Sequence, residues 1–243
     1  MQTEYGFEPF GAAHLITLSV IVAAAVLLPL VVRGAFPAFT RPVAYLLAAL
    51  LLAQEVLQSW MLLATMGPTV ELLPLHLCTL SVYLTAWTLI APGPRVFEVA
   101  YFWGLGGGAQ ALLTPDLIQG FPAPRYLLFF LGHGLVVVGV LYATLTLRLR
   151  PHPGSLLRVP LLTLSYAALI FAVNLGLDTN FLYLMAKPGG VSILDWFGPW
   201  PWYWLGLIAI GVLTFALLYM PFFLLDLPGL RKRRRYDVSR RMD

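Results

Sequence analysis

Charge is what this 243-residue chain has least of: 11% of its residues are Asp, Glu, Lys or Arg, against 60% hydrophobic. Soluble domains carry about 25% charged and about 45–50% apolar residues. Folded in water, a chain of this length would lack the polar side chains to cover its surface, which excludes a soluble enzyme or a free binding domain. Cysteine is nearly missing too. The single Cys78 excludes an intramolecular disulfide framework and a multi-cysteine zinc module. Basic residues are scarce before the C-terminus, where seven of the fifteen lie between Arg231 and Arg241. What remains is apolar, with a mean hydropathy of +0.83, and reads as a polytopic membrane protein.

A membrane-spanning helix needs about 20 predominantly apolar residues to cross a core of about 30 Å. Seven stretches qualify: 10–32, 42–66, 72–91, 96–114, 125–147, 156–177 and 201–225. Their breaks are Arg33 to Arg41, Gly67-Pro68, Pro92-Gly93-Pro94, Pro115 to Pro124, Pro151-His152-Pro153 and the loop from Asp178 to Pro201. The expected fold is all-α, with a single seven-helix transmembrane domain over 1–228 and a basic tail over 229–243. No cleavable leader is expected, because the first apolar run is too long and Glu4 and Glu8 precede it.

Thirteen of the fifteen basic residues fall in the tail and in loops one, three and five; the opposite side carries only Arg125 and Lys187. Basic loops stay in the cytoplasm, so the N-terminus is expected outside and the C-terminus inside, in a multi-pass cell-membrane protein. Trp196, Trp200, Trp202, Tyr203 and Trp204 then form an aromatic belt at the outer interface. The tail suits anionic lipid head groups, and no nucleic-acid partner is expected. The oligomeric state stays open. Gly104-Leu105-Gly106-Gly107-Gly108 reads as a helix-packing surface.

Polar and ionisable groups inside a bilayer are costly and mark candidate functional positions. With this topology His14, His76, Cys78, Gln110, His133 and Asn174 fall in the outer half, and Glu55 with its neighbour Gln54 lies near the midplane. Polar groups from several helices at one depth predict a cavity opening outward. Taken singly, His14, Gln54, Gln58 and Gln110 read equally as interhelical hydrogen-bonding groups. Glu55 is sharper, because an acid at mid-membrane needs a partner or a proton. His14, His76 and His133 with Glu55 could ligate a metal, but no two sit at the i, i+4 spacing that one helix face would need. No metal and no cofactor is expected.

Cys78 is read either as a small buried residue or as a nucleophile. Pro74 places it near a helix N-terminus, where the dipole favours a thiolate, and His133 from another helix is a candidate base. In the outer loop, Asn180 and Lys187 could hold a phosphate or carboxylate of a lipid head group. The alternative is a loop-capping asparagine and a snorkelling lysine. Asp195 is expected to cap the last helix.

Four separated segments carry a resemblance: LPLHLCTLS (Leu73–Ser81), YFWGLGGGAQALLTPDL (Tyr101–Leu117), FFLGHG (Phe129–Gly134) and TNFLYLMAKPGGVSILDWFGPWPWY (Thr179–Tyr203). From about Gly11 to Pro221 the chain resembles the YwaF-type integral membrane proteins of bacteria. These are similar in turn to the eukaryotic transmembrane protein 164 family, whose members act as cysteine-dependent acyltransferases on phospholipids. The resemblance implies a thiol nucleophile at Cys78 and a base among His76 and His133.

Three functions therefore compete. The first is acyl transfer on membrane lipids, with Cys78 and His133 at the centre and His76, Asn180 or backbone amides stabilising the oxyanion. Gln110, Glu55, His14 and Asn174 would line the same substrate cavity, and Lys187 would hold the head group. The second is a transporter or substrate-binding subunit in which Glu55 is the coupling group, although no repeat halves or paired broken helices appear. The third is an accessory membrane protein without chemistry.

Overall fold

The computed structural model describes residues 6–187 and 193–226, with the side chains of residues 71, 193 and 194 outside that description. The basic tail expected over 229–243 lies outside the described residues. Within them the fold is all-α, and one helix falls on each of the seven expected stretches. They are α1 (Ala12–Ala35), α2 (Thr40–Met66), α3 (Leu77–Ile90), α4 (Pro94–Leu113), α5 (Pro124–Leu145), α6 (Ser155–Leu177) and α7 (Tyr203–Asp226). The one β-type pairing among the described residues is an isolated bridge between Gly6 and Gln119.

Five of these helices (α1, α2 with the turn before it, α5, α6 and α7) are long and apolar enough to cross a membrane. The chain is thus a multi-pass membrane protein. α3 departs from expectation: its 14 residues begin at Leu77, not near 72. At about 1.5 Å per residue it is shorter than the hydrocarbon core. Pro74 disfavours helix at the residue before it, and the chain runs through a 3₁₀ turn at Val70–Leu72 and an extended Leu73 before α3 starts.

α5 is the hub, packing against α1, α2, α3 and α4, while α6 and α7 pack at the edge against α4 and each other. Two glycines illustrate how closely the helices approach. A Cβ at Gly139 of α5 would lie 2.7 Å from Thr85 of α3, and one at Gly104 of α4 would lie 2.9 Å from Val136 of α5. Small residues let helices touch where lipid provides no hydrophobic drive for association. The α4 glycine run is therefore a packing surface: Gly106 faces Thr214 of α7 and Gly108 faces Val137 of α5. The aliphatic side chains of α7 point mostly outward, with Leu205, Val212, Leu213 and Leu217 all more than half exposed, as a lipid-facing helix requires.

The segments connecting α2 to α3, α4 to α5 and α6 to α7 meet at one end of the bundle. There Phe7 donates to the carbonyl of Ile118 at 2.9 Å, and the rings of His76 and Phe181 stand 5.0 Å apart edge to face. At the opposite end the buried Glu98 of α4 accepts hydrogen bonds from Ser155 Oγ at 2.6 Å and from Arg158 Nε at 3.0 Å. Arg150 and Asp226 form a second ion pair there.

Candidate functional site

Cys78 is the second residue of α3. His76 stands at the N-cap with its backbone extended, and no side chain caps the helix. The amides of Leu77, Cys78 and Thr79 belong to the first turn, whose N–H groups have no intrahelical acceptor. The thiol therefore stands beside unengaged backbone donors at the positive end of a helix. Its side chain is exposed at the bundle surface. A small cavity of about 30 Å³ opens beside it, lined by Gln54, Glu55 and Gln58 of α2, Cys78 and Thr79 of α3, and Gly132 and His133 of α5. That is room for a water-sized group.

His133 is half-buried in this wall. Its Nδ1 lies 2.9 Å from the carbonyl oxygen of Phe129 one turn earlier. A carbonyl only accepts, so Nδ1 carries the proton and the neutral ring leaves the Nε2 lone pair available. No hydrogen bond joins Cys78 to His133 among the described residues; they share a cavity wall. Gln54 donates through Nε2 to Gln58 Oε1 at 3.1 Å and to the carbonyl of Leu128 at 3.2 Å, which leaves its Oε1 buried without a partner. Gly132 makes space for this amide, because a Cβ there would lie 2.7 Å from Gln54 Nε2. Glu55 is 9% exposed, and among the described residues it has neither an ion pair nor a hydrogen bond.

A larger cavity of about 390 Å³ adjoins the first and shares Glu55, Gln58 and Thr79 with it. Its wall continues through Ser59, Leu62 and Met66 of α2, Leu72, Leu73, Pro74 and His76 of the following segment, and Arg125 at the start of α5.

The structure thus brings Cys78, His133 and Glu55 together and places His76 in the adjoining cavity. The other candidates lie elsewhere. His14 is 1% exposed, accepting from the amide of Phe10 at 2.9 Å and donating from Nε2 to the carbonyl of Leu112 at 2.8 Å. Both ring nitrogens are committed, which removes His14 from any ligand set with Glu55. Asn174 is spent on the turn after α6, donating to the carbonyl of Phe181 and accepting from its amide, each at 2.9 Å. Asn180 likewise ties the following loop, accepting from Met185 at 2.9 Å and Ala186 at 3.1 Å. Lys187 stands 3.5 Å from Asp195 and 5.8 Å from the centre of the Tyr203 ring. Asp195 therefore does not cap α7, which begins only at Tyr203. Gln110 is exposed on α4, outside both cavities.

Thr79 and Gly132 also line the cavity, and the sequence does not mark them as lining residues. Each is adjacent to a singled-out residue, Cys78 and His133, and that adjacency was the only signal. Arg125 counted only toward topology.

Residues 9–219 match the model of the TMEM164 family. The chain belongs to that family. No curated protein and no solved structure matches it. The TMEM164 match spans α1 to the greater part of α7 and includes Cys78 and His133.

Proposed function

We propose that this TMEM164-family protein is a membrane-embedded transferase that moves acyl groups between lipids through Cys78. The observation that carries the reading is the shared cavity: an exposed thiol at an uncapped helix N-terminus and a histidine whose tautomer leaves the Nε2 lone pair free of its backbone bond line the same wall. In the first half-reaction Nε2 of His133 takes the thiol proton and Sγ attacks the carbonyl carbon of an acyl ester. The amides of Cys78 and Thr79 receive the developing oxyanion. The C–O bond then breaks, His133 returns its proton to the departing alkoxide, and the acyl group stays on sulfur as a thioester. In the second, the hydroxyl of an acceptor lipid gives its proton to His133 and attacks the thioester. The thiolate leaves and is reprotonated.

The two cavities divide the substrate. The water-sized pocket beside Cys78 admits the reacting carbonyl, and the larger one takes the adjoining glycerol and head-group region. By the distribution of basic residues, the loop-rich end faces outward and substrates enter from the outer leaflet. The cell membrane is the proposed location, and anionic head groups the proposed partners of the tail.

The direct test is the full chain reconstituted with a phospholipid donor and a lysophospholipid acceptor. Cys78→Ala removes little volume and adds no polar group, so it should abolish transfer while leaving thermal unfolding unchanged. Full activity in Cys78→Ala would sink the thiol mechanism. Glu55, which has no ion pair or hydrogen bond among the described residues, favours a second reading, in which the same cavity carries a solute and Glu55 couples it to a proton. Solute uptake lost in Glu55→Gln and intact in Cys78→Ala would select it.

A further inference from the structure

The loop-rich end has two described basic residues, and the structure uses them differently. Lys187 is neutralised by Asp195 and covered by Tyr203. Arg125 is exposed, makes no hydrogen bond or ion pair with any described residue, and lines the 390 Å³ cavity. It lies in the first turn of α5, a 22-residue helix, so the positive end of that helix adds to its own charge. The cavity volume falls within the range of about 300–1,000 Å³ found for small-molecule sites. Leu62, Met66, Leu72 and Leu73 make one wall apolar, while Gln58 and Thr79 lead from this cavity into the Cys78 pocket.

We infer that Arg125 seats the phosphate of a phospholipid, holding the head group in the larger cavity while the ester reaches toward Cys78. The guanidinium supplies paired N–H donors that match phosphate oxygens, and the apolar wall adds a surface that a lipid can cover and a free phosphate ion cannot. The seat thereby takes over the head-group role for which Lys187 is no longer available. The chemistry after docking rests on the acyl-transfer reading; docking itself does not.

The test separates the two by measuring binding in a chain that cannot react. Full-length Cys78→Ala in detergent is titrated with a short-chain phosphatidylethanolamine, with inorganic phosphate and with dihexanoylglycerol, following thermal stabilisation. The phospholipid should stabilise the protein, and adding Arg125→Ala should weaken its binding by about tenfold or more, the loss expected for a charge-assisted hydrogen-bond pair. Arg125→Lys should recover part of that loss, and binding of dihexanoylglycerol should not respond to either change. Equal phospholipid affinity with and without Arg125 would overturn the assignment, as would inorganic phosphate binding as tightly as the phospholipid. Arg125-dependent binding together with full transfer activity in Cys78→Ala would refute the thiol mechanism and leave the phosphate seat standing.

Discussion

Glu98 and Glu55 are both buried acids of this bundle, yet their surroundings are opposites. Glu98 is 4% exposed and lies against Ser155 and Arg158, with Arg95 3.6 Å away. Glu55 is nearly as buried and has no such partner among the described residues. A buried charge is tolerated when it is paired and hydrogen-bonded, so the Glu98 cluster is explained by its contribution to joining α4 to α6. The Glu55 region has no such explanation. Among the described residues it leaves an acid and the buried Oε1 of Gln54 without partners, beside the cavity that His133 and Cys78 also line, and polar groups left unsatisfied in this way are what the proposed site would account for.

The contrast predicts that changes at the two ends will separate activity from stability. His133→Ala should cut acyl transfer by about 10²–10⁴-fold, the range for losing a general base, with little change in thermal unfolding. The effect should not add to that of Cys78→Ala, because nucleophile and base act as a unit. A steady-state transfer assay on the two single variants and the double variant checks both points. Additive losses would break the pairing of Cys78 with His133.

At the other end Glu98→Ala should destabilise the protein by roughly 2–3 kcal/mol, because Ser155 and Arg158 lose a shared acceptor. Solvent at Arg158, whose side chain is 43% exposed, keeps the loss below that of a fully buried pair. Turnover per folded molecule should be unchanged. Glu55→Gln has no ion pair or hydrogen bond with a described residue to lose and removes an ionisable group from a buried position, so it should leave stability unchanged or raise it. Thermal unfolding of both variants in one detergent makes the comparison, and equal destabilisation would erase the distinction.

The seven helices were legible because apolar runs and their Pro/Gly breaks need no knowledge of tertiary contacts, although by length and composition only five of them could cross a membrane. The late start of α3 was less so: Leu72, Leu73 and Leu75 continue the apolar run, and only Pro74 hints that the helix has not yet begun. The site was half legible. Residue chemistry and the helix-end position singled out Cys78, but nothing along the chain could place His133 of α5 in its cavity wall. His14 and Asn174 looked equally functional for the same reason. Their partners are backbone groups of other segments, the carbonyl of Leu112 and the backbone of Phe181, and backbone carries no signature in a sequence. Arg125 was visible only as an exception to the charge distribution, and its value depends on Lys187 being occupied by Asp195.

The claim that Cys78 carries the acyl group is tested most directly by intact-protein mass spectrometry of the full chain incubated with donor phospholipid and no acceptor. The account predicts a mass gain of one acyl chain, mapped to Cys78, released by hydroxylamine and discharged when a lysophospholipid is added. No adduct under conditions that support transfer, or an adduct on another residue that persists in Cys78→Ala, would contradict it.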